Sequence, residues 1–330
     1  MPFNVYGQDN AIRLLKSYLA EERLQGAFLF SGPEGVGKKL SAKLLAQAAN
    51  CLGENAPCLE CPSCKKIDAL QHPDVPFIDS ATPLEPSGET EDGSPGSIRI
   101  GHIRTLQKAI SYKAYEARLK FFIIDNAHNL NPSAANALLK VLEEPPRLSV
   151  IILVTDKPFM LFKTIVSRCR TVKFAALNRE LLENVLKQEH GFDPYSAHFL
   201  AFYSEGRLGR ALSLKGTGII EKKNALIDAF IGSKGLRMDN FTLQKREEIR
   251  DYLNILAGWF RDIYIVKTDA SGPGLINSDR LEELKKSSSL LSLQKLNEIT
   301  DAISEAILNL ERNINTKLLL YNLGAVLWEA

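Results

Sequence analysis

The chain has 330 residues, 45% of them hydrophobic and 24% charged, with 41 basic against 39 acidic side chains for a formal charge of +2. These are ordinary values for a folded protein of roughly two or three domains. They exclude a disordered chain and a global positive field that would draw the whole molecule onto nucleic acid. The N-terminal MPFNVYGQDNAIRLL has no basic segment leading into a long apolar run, and no later stretch approaches about 18 uninterrupted apolar residues, so a cytoplasmic protein is expected.

In chain order, AFLF (27–30) is a short apolar strand, followed by the glycine-rich GPEGVGKK and the helical run LSAKLLAQAAN. VPFID (75–79), KFFIID (120–125), VIILVT (150–155) and TVKF (171–174) are further near-continuous apolar runs, as expected when helices cover both faces of a parallel sheet. Residues 80–97, rich in Pro, Gly, Ser and acid, read as an exposed loop. In NPSAANALLKVLEEPP, Asn131 is placed to cap a helix, Pro132 occupies its first position and Pro145-Pro146 stop it, with Ala135, Leu138, Leu139 and Leu142 on one face. Beyond Phe174 the pattern turns helical, with breaks at Gly191-Phe192-Asp193-Pro194 and at SGPG (271–274) and a linker near 233–240. The expected architecture is an α/β nucleotide-binding-type domain over 1–174, a small all-α domain over 175–235 and an all-α C-terminal domain over 236–330.

Gly32, Gly35, Gly37 and Lys38 satisfy the phosphate-loop pattern G-x-x-x-x-G-K between a strand and a helix, where backbone N–H groups and a helix N-terminus suit a phosphate chain. The position that should offer a hydroxyl to Mg²⁺ is Lys39, which adds a positive charge instead. Asp125, ending KFFIID, stands where a metal-side carboxylate belongs, or else caps a strand-end turn; the next residue is Asn126, whose amide cannot take a proton from an attacking water. The pattern predicts little ATP hydrolysis and no Mg²⁺ at this site, with ATP or ADP as a static ligand left open. Cys51, Cys58, Cys61 and Cys64 form C-x6-C-x2-C-x2-C, a donor set for closed, structural Zn²⁺ in a module at about 51–64; an iron–sulfur cluster uses the same donors. His72 lies eight residues past the last of them, is not needed as a ligand and is expected on the polar surface.

GPEGVGKK, the cysteine cluster, FFIIDNAHNLN, AANALLKVLEEPP and TIVSRCR, in this order, resemble the bacterial DNA polymerase III clamp-loader family of AAA+ ATPases. The specific motifs span roughly residues 5–215, and NINTKLLLYNL looks like the closing helix of the family's oligomerising collar. The resemblance implies an AAA+ domain with an inserted zinc module, a helical lid and a collar. It implies a ring subunit that helps place a sliding clamp on primer-template DNA beside gamma/tau-type motor subunits and a delta-type clamp-opening subunit. Ser167-Arg168-Cys169 matches the family's SRC motif, so Arg168 is expected to act in trans on a neighbour's ATP; the alternative is a surface arginine paired with a nearby acid. Cys169 reads as a small apolar residue. Thr155 matches a γ-phosphate sensor or is a packed strand end. Relatives carry a second sensor arginine where this chain has Gly209, leaving Arg207, Arg210 or neither for that role. Two other functions are open: an active gamma/tau-like ATPase, disfavoured by Lys39 and Asn126, and a zinc-dependent DNA-binding module, disfavoured by the near-neutral charge.

Overall fold

The computed structural model describes residues 5–21, 23–83, 96–231, 245–269, 274–312 and 314–328. The body of the 80–97 loop, the 233–240 linker and residues 271–273 of SGPG lie outside these. The described residues form two compact units, one of residues 1–178 with 206–210, the other of 179–205 with 211–330.

In the first unit the elements run α1 (Asp9–Ala20), β1 (Gly26–Ser31), α2 (Lys38–Asn50), α3 (Pro62–Asp68), β2 (Phe77–Ile78), α4 (Ile100–Ser111), β3 (Lys120–Ile124), α5 (Pro132–Glu143), β4 (Ser149–Thr155), α6 (Lys163–Val166) and β5 (Arg170–Lys173). The strands form one parallel sheet in the order β2-β3-β4-β1-β5, the expected α/β architecture. Alternate residues feed opposite faces. Phe28, Phe30, Phe121, Ile123, Val150 and Ile152 pack with Leu15, Leu45 and Ile67 on one side. Leu29, Phe122, Ile124, Ile151 and Leu153 pack with Ile103, Leu106 and Leu138 on the other. β3 and β4 are buried along their whole length, which is why those runs show no polar alternation.

Two local details differ from the sequence expectation. β2 is only Phe77–Ile78, because Pro76 has no N–H to donate and VPFID lies at the sheet edge; Asp74 and Pro76 still accept from Phe121 and Ile123 through their carbonyls at 3.0 and 3.1 Å. On α5 Leu139 is only half-buried, and Val141 fills the core instead. The cap is as expected: Asn131 Oδ1 accepts the Ala134 N–H at 2.8 Å, with Pro132 beginning the helix.

The second unit holds α7 (Arg179–Gln188), α8 (Pro194–Tyr203), the second half of α9 (Leu208–Ser213), α10 (Ile219–Ile231), α11 (Arg246–Thr268), α12 (Leu281–Leu290), α13 (Leu293–Glu311) and α14 (Thr316–Trp328), with no strand among its described residues. Asp193 caps Pro194 at the Gly191–Pro194 break, accepting from the N–H groups of Tyr195 and Ser196. α11 is the centre of the C-terminal part: Leu253, Leu256, Trp259, Phe260 and Ile263 are buried, and it packs on α12 and α13, with α14 against α13. No helix among the described residues is long and apolar enough to cross a membrane.

Candidate nucleotide site, zinc module and arginine

The phosphate loop runs from the end of β1 to the start of α2. Gly32, Gly35 and Gly37 all have positive φ, at 150°, 76° and 95°, and each packs where a side chain would not fit. A Cβ on Gly32 would stand 2.2 Å from the Phe174 carbonyl oxygen, one on Gly35 3.0 Å from the Arg210 nitrogen, and one on Gly37 2.7 Å from Val5. The Gly209 N–H donates to the Gly35 carbonyl at 2.8 Å. A Cβ on Gly209 would in turn meet Gly35 Cα at 2.9 Å, so this position, where the resemblance implies a second sensor arginine, is filled by a backbone contact. Lys38 is 7% exposed, and its ammonium donates to the carbonyls of Gly32 and Pro33 at 2.6 and 2.5 Å, tying the loop to itself. Burial lowers its pKa, against the opposing pull of Asp156, Asp125 and Glu34.

Lys39 Nζ lies 2.9 Å from Asp125 Oδ2. Lys39, at the position where the phosphate-loop pattern has a hydroxyl, thus pairs with the carboxylate expected on the metal side. Asn126, in the left-handed region at φ 50°, is exposed and donates its N–H to Asp125 Oδ1 at 3.0 Å. Thr155 is paired in register with Ser31, the last residue before the loop, and is buried. Its hydroxyl accepts the Lys157 N–H at 3.0 Å and lies 3.1 Å from His128 Nδ1, so it is already engaged in a local turn.

Asp125, Thr155 and the loop all sit at the C-terminal ends of their strands. Arg168 does not. It follows α6 and precedes β5, whose Arg170 pairs with Phe28, three residues before Ser31, so about 10 Å of strand separates Arg170 from the loop's start. Arg168, two residues earlier still, precedes the N-terminal end of β5, the end of the strands opposite the loop. Its Nε and Nη2 donate to Glu143 Oε1 at 3.1 and 2.7 Å, and its Nη1 donates to the Thr164 carbonyl at 2.9 Å. Glu143 ends α5, in the LEEPP run whose helix-stopping role was legible and whose acid went unassigned. An acid at the negative end of a helix is the signal that a cation is near. Cys169 is partly buried against the α5 side of the core, and burial pushes its thiol up to about 12.

The four sulfur atoms of Cys51, Cys58, Cys61 and Cys64 lie within 4.8 Å of one another. Backbone N–H groups of Cys58, Cys61 and Cys64 donate to the sulfurs of Cys51, Cys58 and Cys61 at 3.3, 3.3 and 3.4 Å. The N–H groups of Glu60 and Cys61 bring the Cys58 thiol down to about 6, while burial drives that of Cys64 up to about 12. Four gathered sulfurs with N–H donors around them fit a closed tetrahedral Zn²⁺, whose charge would hold even the buried thiol ionised. α3 and α2 anchor the module: the Gln47 side chain donates to the Cys64 carbonyl at 2.9 Å, and Lys43 pairs with Asp68 at 2.7 Å.

His72 corrects an expectation: it is 3% exposed rather than on the polar surface. Its Nδ1 accepts the Asp74 N–H at 3.1 Å, and burial lowers its pKa. Asp74 beside it accepts N–H bonds from Tyr115, Glu116 and Ala117 at 2.8–3.0 Å, a carboxylate that pins the segment leading into β3. Both are structural, and no spacing in the sequence marked them.

Residues 7–178 match the family model described as DNA polymerase III, delta subunit, and residues 221–324 match that of its C-terminal part. The chain is 29% identical over 335 residues to DNA polymerase III subunit delta' of Bacillus subtilis, covering 98% of this chain and 96% of that one. It is 28% identical over 340 residues to subunit tau of the same organism and 35% identical over 223 residues to subunit tau of Escherichia coli, but spans only 57% and 32% of their lengths. Among solved structures, a gamma subunit-related protein of Thermotoga maritima matches 96% of this chain and 98% of its own at 17% identity, with a TM-score of 0.41.

Proposed function

Because the chain belongs to the DNA polymerase III delta-subunit family, we propose that it is a delta-prime-type clamp-loader subunit that hydrolyses little or no ATP itself and lends Arg168 to the ATP of a neighbouring motor subunit. The chain is a clamp-loader subunit of DNA polymerase III; the division of labour is our reading. The observation that carries it is the separation of the two ends of the parallel strands. The phosphate loop, with Lys39 paired to Asp125, lies at the C-terminal end of β1, and Arg168 lies before the N-terminal end of the neighbouring β5. In this reading the guanidinium serves a nucleotide bound by another subunit, where it would neutralise charge developing on the γ-phosphate.

In this reading the partners are gamma/tau-type motors, a delta-type clamp-opening subunit and, through the assembled ring in the cytoplasm, the sliding clamp and primer-template DNA. The second unit supplies a lid over 175–235 and a collar over 236–330 that closes on α14. Zn²⁺ stiffens the module beside α2. An active gamma/tau-like ATPase is the competing reading, and Lys39 in the metal's place opposes it.

The test is steady-state ATP hydrolysis by this chain alone and by a reconstituted loader carrying wild type or Arg168→Ala. We expect no turnover by the isolated chain and a loss in the mutant ring approaching the ~10³-fold or more associated with arginine fingers. Appreciable turnover by the isolated chain, or an unaffected mutant ring, would sink the proposal.

A further inference from the structure

We propose that Glu143 is a positioning residue for Arg168, an extension that rests on the reading of Arg168 as an arginine given to a neighbour. A guanidinium presents five N–H groups in a rigid plane. Here the side edge is taken: Nε and Nη2 both donate to Glu143 Oε1 at 3.1 and 2.7 Å. One Nη1 hydrogen is taken by the Thr164 carbonyl at 2.9 Å, one turn back on α6. Among the described residues nothing engages the remaining pair, one hydrogen each on Nη1 and Nη2. The Nη2 hydrogen turned away from Glu143 points off the end of the side chain, where an oxygen of a tetrahedral phosphate would meet it.

The two contacts therefore hold the fork along its Nε–Nη2 side and through Nη1, and leave one hydrogen on each Nη unengaged. Arg168 is about one-third exposed, and an unsupported arginine there would populate many rotamers, few of them aimed outward. Glu143 is in turn held still. It ends α5, and Pro145-Pro146 forbid the helix to continue, so its carboxylate has a fixed origin. A carboxylate at a helix C-terminus is electrostatically unfavourable by itself, and pairing with Arg168 offsets that. Glu143 takes no part in the reaction and acts only through the arginine.

The test uses the complete loader with sliding clamp and primed DNA, comparing Glu143→Ala, Glu143→Gln, Arg168→Ala and the double variant. Glu143→Ala is expected to lower kcat about tenfold with KM for ATP unchanged, ring assembly intact and the melting temperature nearly unmoved. Glu143→Gln should recover part of the loss, since its amide oxygen still accepts from Nε and Nη2. The double variant should be no slower than Arg168→Ala. A Glu143→Ala ring at or above the wild-type rate, with Arg168→Ala still slow, would mean that the acid merely parks the arginine and would overturn the positioning role alone. Equal losses from Glu143→Ala in the presence and absence of Arg168 would also overturn it. A wild-type rate from Arg168→Ala would overturn the underlying reading and this one with it.

Discussion

Replacing Lys39 by Thr restores the hydroxyl that a phosphate loop normally offers to Mg²⁺ and removes the ammonium now 2.9 Å from Asp125. A Mg²⁺ ion held by Asp125 would lie about 4 Å from that ammonium. Two charges against one at this distance repel by about 2 kcal/mol at the dielectric of bulk water, and by about 8 kcal/mol at an effective value near 20. Lys39 is 45% exposed, so the lower figure governs; it still amounts to ~30-fold in affinity. The assay is titration of a fluorescent ATP analogue in Mg²⁺ and in EDTA. Wild type should bind no more tightly in Mg²⁺ than in EDTA, whereas Lys39→Thr should gain at least ~30-fold from the metal. The variant should remain folded, because a part-exposed ion pair contributes only about 0.2–1 kcal/mol. Tightening of wild-type binding by Mg²⁺ would refute the argument, since the ammonium would then have yielded to the metal. Failure of either protein to bind would refute it differently, by locating the obstruction in the loop's own packing.

Gly32→Ala should cost about 3 kcal/mol or more in thermal or urea unfolding, because its Cβ would stand 2.2 Å from the Phe174 carbonyl and neither backbone can withdraw cheaply. Plasma emission spectroscopy should find one zinc per chain; Cys61→Ser should abolish it and raise proteolysis within residues 51–68 first, with the sheet retained by circular dichroism. Asp74→Asn should destabilise by about 1.5–3 kcal/mol, since it loses charge-assisted bonds from three N–H groups. Burial pushes the Asp74 carboxyl up, but the N–H groups of Glu116, Tyr115 and Ala117 outweigh it and leave the folded pKa depressed. A depressed folded value means that this stability is complete above the unfolded pKa near 4 and is lost as pH falls through the folded one. Unfolding free energy measured between about pH 5 and 2 should therefore fall less steeply in Asp74→Asn than in wild type; parallel profiles would contradict the assignment.

The parts legible in the sequence were those fixed by local chemistry. A fully buried parallel strand must be apolar throughout, and KFFII and VIILVT are; a helix needs a cap and a stop, and Asn131 and Pro145-Pro146 supply them. Four cysteines in one short segment can meet without any knowledge of the fold. What stayed hidden depends on residues far apart in the chain. Glu143 reaches Arg168 across 25 positions, Asp74 reaches Tyr115 across 41, and Gly209 seats on Gly35. His72 was misplaced for the same reason: a lone histidine after a cysteine cluster carries no local mark of burial.

The long-range contacts also give the phosphate loop a structural use that needs no metal. In an active site the clustered carboxylates Asp125 and Asp156 would be balanced by Mg²⁺. Here Lys39 supplies a permanent positive charge to Asp125, and Lys38 binds its own loop carbonyls, so the local charge is balanced without a ligand. Gly32, Gly35 and Gly37 meanwhile serve as close-packing points against Phe174, the Gly209–Arg210 backbone and Val5. The loop has become a clasp, tying the end of β1 to the segments that follow β5 and to the N-terminal residues ahead of α1. On the proposal that this subunit lends Arg168 to its neighbour, a clasp that does not open and close with nucleotide would help to keep that arginine in place. Restoring the metal position by Lys39→Thr should therefore raise Mg²⁺-dependent binding without creating turnover, because Asn126 still cannot take a proton from water.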